Sequence, residues 1–147
     1  MQSIRIRYEK DVSLDLDQFI ELYRSSTLAK RRPADDREVM RQMMENASLT
    51  ITAWDGDALV GISRTLTDFG FVAYLADLAV AQSHQRRGIG RRLIQETAAA
   101  LGPKCSVVLL SAPDANEFYP HIGFSHNPRA WVLLGNPSAD TIRANLE

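Results

Sequence analysis

The segment Gln85-Arg86-Arg87-Gly88-Ile89-Gly90 constrains this chain more than any other, because of what stands on either side of it. Before it, Phe71 to Val80 is apolar except for Tyr74 and Asp77 and reads as a buried strand. After it, Ile89, Leu93, Ile94, Ala98 and Leu101 recur on one helical face, with Arg91, Arg92, Gln95 and Glu96 on the other. Gly102-Pro103 predicts the end of that helix, a left-handed cap followed by a residue that cannot continue it. A strand therefore feeds a short loop, and the loop opens a helix at two glycines flanked by arginines. The first amides of a helix lack internal partners and lie at the positive end of its dipole. Glycine there lets a phosphate approach the backbone, so the segment reads as a pyrophosphate cradle.

Two common phosphate loops do not fit. A P-loop requires Gly-Lys, a pair absent from this chain, and the dinucleotide fingerprint requires a third glycine where Leu93 stands. What remains is Q/R-x-x-G-x-G/A after the strand end Asp77-Leu78-Ala79-Val80. Further on, Val107 to Leu110 reads as another buried strand and Asn116 to Ile122 as a short helix. The latter lies within Phe118-Tyr119-Pro120-His121-Ile122-Gly123-Phe124. In sequence and order, these two segments resemble the two signatures of the GNAT superfamily of acyl-CoA N-acyltransferases.

The rest of the chain agrees with that resemblance. Ile4 to Tyr8 alternates as an edge strand does, and Ser13 is placed to cap a helix carrying Leu16, Phe19, Ile20 and Tyr23. Asp35 or Asp36 starts a second helix with Val39, Met40, Met43 and Met44 inward. Leu49 to Trp54 and Ala58 to Thr67 are strands around an Asp55-Gly56-Asp57 turn. Trp131 to Leu134 is a last strand and Ser138 to Leu146 a terminal helix. The order β-α-α-β-β-β-α-β-α-β is similar to the GNAT fold, an α/β (α+β) mixed twisted sheet with helices on both faces, in a single domain over residues 1–147.

Composition limits the function classes. The net charge is −1, which points to neither nucleic acid nor a membrane surface. Cys105 is the sole cysteine, so no internal disulfide forms and a reducing cytoplasm suits the chain. The start lacks the apolar stretch of a signal peptide, and His84, His121 and His126 show no metal-ligand spacing.

The resemblance implies acetyl-CoA as cosubstrate and an amine as acceptor, a small molecule first. An acyl-CoA-binding module without catalysis is the second reading, an enzyme acting on a protein lysine or N-terminus the third, and the working state is a monomer or homodimer. It places Leu78, Ala79 and Val80 against the pantetheine arm through their backbone. Gln85, Arg86, Arg87, Gly88, Ile89, Gly90 and Arg91 go to the pyrophosphate. The N–H of Leu78 or a neighbour would polarise the thioester carbonyl, as oxyanion donors do. Tyr119 matches the family's general acid, and an ordinary phenol is protonated at neutral pH.

Asp77 has two readings. As the one charge in an apolar strand it needs a partner: it is either the general base or a carboxylate bound to backbone amides at a strand bulge. Tyr23, Arg64, His121 and Trp131 are the acceptor-side candidates, with solvated arginines and a packed histidine as the competing reading. His84 is assigned to packing. The family's usual pantetheine asparagine falls on Ala112 here, which leaves Asn116 as a helix cap.

Overall fold

The computed structural model describes residues 5–135. The chain divides into two compact units, Met1–Ser111 and Ala112–Glu147. Five strands of the first unit form one open sheet in chain order, β1 (Arg7–Lys10), β2 (Leu49–Asp55), β3 (Ala58–Thr67), β4 (Val72–Val80) and β5 (Ser106–Val108). Neighbours run antiparallel except β4 and β5, which are parallel, so the sheet is mixed. The β2–β3 hairpin closes on Gly56 and Asp57, and Gly56 takes the positive φ of 59° that a two-residue turn demands.

Among the described residues this unit carries the α-helices α1 (Leu16–Ser25), α2 (Arg37–Glu45) and α3 (Ile89–Ala99). Asp15 caps α1 by accepting from the Gln18 amide at 3.0 Å, in place of the expected Ser13. Asp36 caps α2 in the same way through the Val39 amide. Adjacent residues of β3 show which helix covers which face. The Ser63 hydroxyl meets Thr97 of α3, whereas Arg64 meets Asp77 on the side where Tyr23 of α1 lies. Since successive strand residues point to opposite faces, α1 and α3 cover opposite sides of the sheet.

The α3 face differs from the periodic reading at one place. Ile89, Leu93 and Thr97 are buried, and Ala98 is exposed. Thr97 tolerates burial because its hydroxyl meets both Ser63 and the Leu93 carbonyl. Gly61 permits close packing here: a Cβ would lie 3.1 Å from Leu93 Cδ1 and 3.2 Å from Ile89 Cγ2. Gly102 is not a left-handed cap, since its φ is not positive and Ala100 caps the helix. It is required because a Cβ would fall 2.8 Å from the Phe69 carbonyl oxygen, to which its own amide donates.

Strand β5 is shorter than the sequence suggests and stops at Val108. Residues 131–135 carry no strand, so the expected final strand at Trp131 to Leu134 is not formed, and Trp131 is 93% exposed. A strand exists only through pairing with a neighbour, and the sheet among the described residues ends at β5. Ile4 and the expected helix from Ser138 to Leu146 lie outside the described residues. The second unit contains the one-turn helix α4 (Phe118–His121).

Candidate active site

Strand β4 departs from regular pairing twice. Arg64 pairs with Asp77 and Thr65 with Leu75, so Ala76 is an extra residue, a β-bulge that bends the strand. On the other edge, pairing with β5 ends at Tyr74 and Val108. From Leu75 to Val80, β4 runs on with no strand on that side among the described residues.

The hydrogen-bond alternation shows which backbone groups face this opening. Ala81 donates to the Val60 carbonyl at 2.8 Å, just past the Val80–Gly61 pair. Bonded and non-bonded pairs alternate in an antiparallel ladder, so Asp77 and Ala79 turn their amides toward β3 and Leu78 and Val80 turn theirs away. The Val80 carbonyl is accordingly free to accept from the Gln85 side chain at 2.9 Å. Leu78 thus directs an N–H out of the sheet where β4 and β5 have separated.

The loop beyond Val80 has the backbone of an anion site. Arg86 and Gly88 take positive φ values of 64° and 80°, and Gly88 is the N-cap of α3. The first amides of the eleven-residue α3 have no carbonyl one turn back to bond. Beyond Gly88 and its chain neighbours, no atom of the described residues lies within 4 Å of where a Gly88 Cβ would stand, so the approach is open. Arg86, Arg87 and Arg91 are exposed around it, and Ile89 is buried to fix the helix end. Gly90 has no positive φ, so the special backbone angle of the loop belongs to Gly88. This donor set suits a pyrophosphate.

His84 is held beside the loop by Asp55 at 2.8 Å and Ser83 at 2.7 Å. Arg92 points elsewhere, pairing with Glu96 at 2.8 Å and stacking over Tyr8 at 4.8 Å.

Asp77 is enclosed. Its side chain is 0% exposed and accepts from Tyr23 Oη, Arg32 Nε and Arg64 Nε, each at 2.5 Å. The partners are side chains from three other segments, not the backbone amides expected at a bulge. Burial and the Asp77 charge together push the Tyr23 phenol well above its ordinary range, so it remains a donor. Burial by itself would lower the Arg64 guanidinium, but the Asp77 carboxylate outweighs it and the net direction is upward. Arg64, 9% exposed, is a buried ion-pair partner instead of a solvated arginine. Tyr23, 0% exposed and packed on Phe19, does not present its ring to solvent. The sequence offers Arg31 and Arg32, before the second helix, as ligands of an acidic acceptor or as solvated arginines, and no local pattern marks Arg32 as a partner of Asp77.

In the second unit, Tyr119 is half-buried and packs edge-on against Phe118 and Phe124, with centroids at 5.2 and 5.5 Å. Burial raises its phenol above the usual value, which favours the protonated form. Its carbonyl accepts from the amides of Ile122 and Phe124, both at 3.1 Å, and Gly123 turns the chain between them with φ 98°. His121 ends the same helix and is exposed. Asn116 follows a 3-10 turn at Pro113–Ala115 as its C-cap, and Glu117 is the N-cap of α4.

An open mixed sheet whose fourth strand splays from the fifth and runs into a glycine loop and helix defines an acyltransferase of the GNAT class. Residues 23–130 match the family described as Acetyltransferase (GNAT) domain, and the chain belongs to that family. It is 26% identical over 130 residues to an uncharacterized N-acetyltransferase of Pyropia yezoensis, across 81% of this chain and 73% of that one. Two solved structures share the fold. A GNAT-family acetyltransferase from Streptococcus pneumoniae TIGR4 superposes with a TM-score of 0.69 at 24% identity, over 88% of this chain and 98% of its own. The aminoglycoside N-acetyltransferase AAC(6')-Iy, in complex with CoA, gives 0.66 at 14% identity, over 91% and 97%.

Proposed function

We propose that this protein transfers an acetyl group from acetyl-CoA directly to a primary amine of a small molecule. The observation that carries the reading is the free edge of β4: the outward amide of Leu78 leads within a few residues to the Gly88 loop and the first turn of α3. Acetyl-CoA supplies the activated thioester. Arg86, Arg87, Arg91 and the amides from Gly88 to Gly90 hold its pyrophosphate, while the backbone of Leu78, Ala79 and Val80 aligns the pantetheine arm beside the sheet. The Leu78 N–H donates to the thioester carbonyl oxygen, where negative charge develops. Tyr119 donates a proton to the departing sulfur as the C–S bond breaks, a role suited to a phenol that burial keeps protonated, and the proton shed by the attacking nitrogen as the amide forms makes good the loss through solvent.

An alkylamine is protonated at neutral pH, with a reference pKa of ~10.4, so the acceptor must lose a proton before it attacks. A neutral fraction of the amine in free exchange with solvent meets that need. The small-molecule acceptor is supported by the aminoglycoside named for one structural neighbour. A lone Cys105 suits work in a reducing cytoplasm.

The test is thiol release from acetyl-CoA in the presence of a panel of small amines and a panel of lysine and N-terminal peptides. Release with small amines is expected. Release with peptides alone would move the acceptor class to proteins. Binding without release under either panel would identify an acyl-CoA sensor.

A further inference from the structure

We propose that Asp77 is a positioning residue: with Tyr23, Arg32 and Arg64 it locks the β4 bulge and thereby aims the Leu78 N–H. It does not act as the general base. The inference rests on the acetyl-transfer reading above and assigns a device within that site.

A general base needs a lone pair that the acceptor's proton can reach. The Asp77 carboxylate is wholly buried, and both oxygens are occupied, Oδ1 by Arg32 and Oδ2 by Tyr23 and Arg64. These three groups are the titratable and charged partners facing it: from α1, from the segment before α2, and from β3. Two of them are guanidiniums, whose hydrogen bonds keep both oxygens engaged.

The cluster's position explains what it is for. Arg32 bonds Asp77 through Nε and, through Nη2 at 2.9 Å, the carbonyl of Ala76, the extra residue of the bulge. One guanidinium thus fastens both residues on either side of the peptide bond that follows the bend. Arg64 fixes Asp77 from directly across the ladder, and Tyr23 fixes it from α1. The next peptide carries the Leu78 N–H, turned toward the opening. Any rotation of the Asp77 backbone tilts that donor away from the carbonyl oxygen. Misplacement of a catalytic group by about 1 Å can cost on the order of 10²-fold in rate.

The experiment uses the full chain with Tyr23→Phe, Arg32→Gln and Asp77→Asn. Wild type is assayed first; absence of thiol release there would count against the acetyl-transfer reading and leave the positioning claim to the NMR arm below. Tyr23→Phe keeps the ring and the two ion pairs, so it is the variant chosen to remain folded. We expect kcat to fall about tenfold, within the range that small misplacements produce. The KM for acetyl-CoA should stay constant, because the Gly88 loop is untouched. The loss should be equal at pH 6.5 and pH 9.5 in all three variants. In amide-resolved NMR of folded Tyr23→Phe, the Leu78 resonance should move while amides of the Gly88 loop stay in place.

Recovery of Asp77→Asn or Arg32→Gln toward wild-type turnover at high pH, where the amine is already neutral, would make Asp77 a base and overturn the proposal. Wild-type kcat in a Tyr23→Phe protein that melts lower would reduce the cluster to a fold clamp and overturn it too. So would an unmoved Leu78 amide. If Asp77→Asn does not fold, Tyr23→Phe and Arg32→Gln carry the decision.

Discussion

Arg64 and Asp77 stand opposite each other as a register pair on β3 and β4, with the guanidinium Nε 2.5 Å from the carboxylate Oδ2. The contact lies one residue from the bulge at Ala76, between the third and fourth strands of the sheet. A charge pair so placed makes the packing of α1 against β3 and β4 depend on polar groups that water does not reach.

Removing one partner of such a pair should cost more than replacing both. Arg64→Met leaves the carboxylate to Arg32 and Tyr23 and is expected to destabilise by about 3 kcal/mol, the low end for breaking a buried pair. Adding Asp77→Leu should cost less than the sum of the two single changes, since the buried carboxylate and its partner across the ladder leave together and Arg32, with a side chain 25% exposed, turns to solvent. Urea unfolding of the four members of this cycle checks it, and strict additivity would contradict it.

Gly88 and Gly90 should respond differently. Gly88 has φ 80°, where an L-residue is strained by about 1–2 kcal/mol, so Gly88→Val should melt lower without ligand and bind acetyl-CoA weakly. Gly90 lies inside α3 with no such angle, and valine is a better helix former than glycine, so Gly90→Val should fold without that strain. Its acetyl-CoA-dependent rise in Tm should nevertheless shrink, because the side chain crowds the phosphate approach. Melting curves with and without acetyl-CoA separate the two effects.

Tyr119→Phe removes one oxygen and keeps the ring that packs on Phe118 and Phe124. With chemistry rate-limiting, kcat should fall about 10²–10⁴-fold while the acetyl-CoA constant holds. Burial raises the Tyr119 pKa, so the folded state holds this proton more tightly than the unfolded one. The associated stability is present below about pH 10 and is lost as pH rises through the higher folded pKa. The alkaline limb of wild-type kcat should follow the same titration, and the variant should lack it.

Thr65 offers a stabilising change. Its side chain is fully buried, and among the described residues its Oγ1 is the buried side-chain atom with no hydrogen-bond partner. Thr65→Val replaces that hydroxyl with a methyl of similar size and should raise stability by about 1 kcal/mol. A lower Tm in the variant would show that the hydroxyl is satisfied in solution, by an internal water for example.

What was legible in the sequence was local. A strand, a glycine loop and a helix are written in consecutive residues, so Val72–Val80, Gly88 and Ile89–Ala99 could be placed from periodicity and backbone preference alone. Asp36 at the start of α2 was equally readable, because a cap and the amide it serves lie three residues apart. Ser13 failed by the same logic: Asp15 is a competing cap two residues on, and only packing of Leu16 decides which one the helix uses.

Tertiary structure decided the rest, wherever a residue's partner lies far along the chain. Arg64, Arg32 and Tyr23 are 13, 45 and 54 residues from Asp77, and no spacing rule links them. The sequence showed that Asp77 needed a partner; the folded sheet chose two guanidiniums and a phenol over backbone amides. Thr97 is not among the apolar residues that mark the buried face of α3, and Ser63 supplies the hydrogen bond that lets it pack there. Gly102 looked like a cap, but the Phe69 carbonyl 2.8 Å from its missing Cβ is what requires glycine there. The bulge at Ala76 and the parting of β4 from β5, which turn the Leu78 amide outward, are properties of three strands in register. A single strand's sequence fixes which residues alternate, but only its neighbours fix which backbone donors are left over.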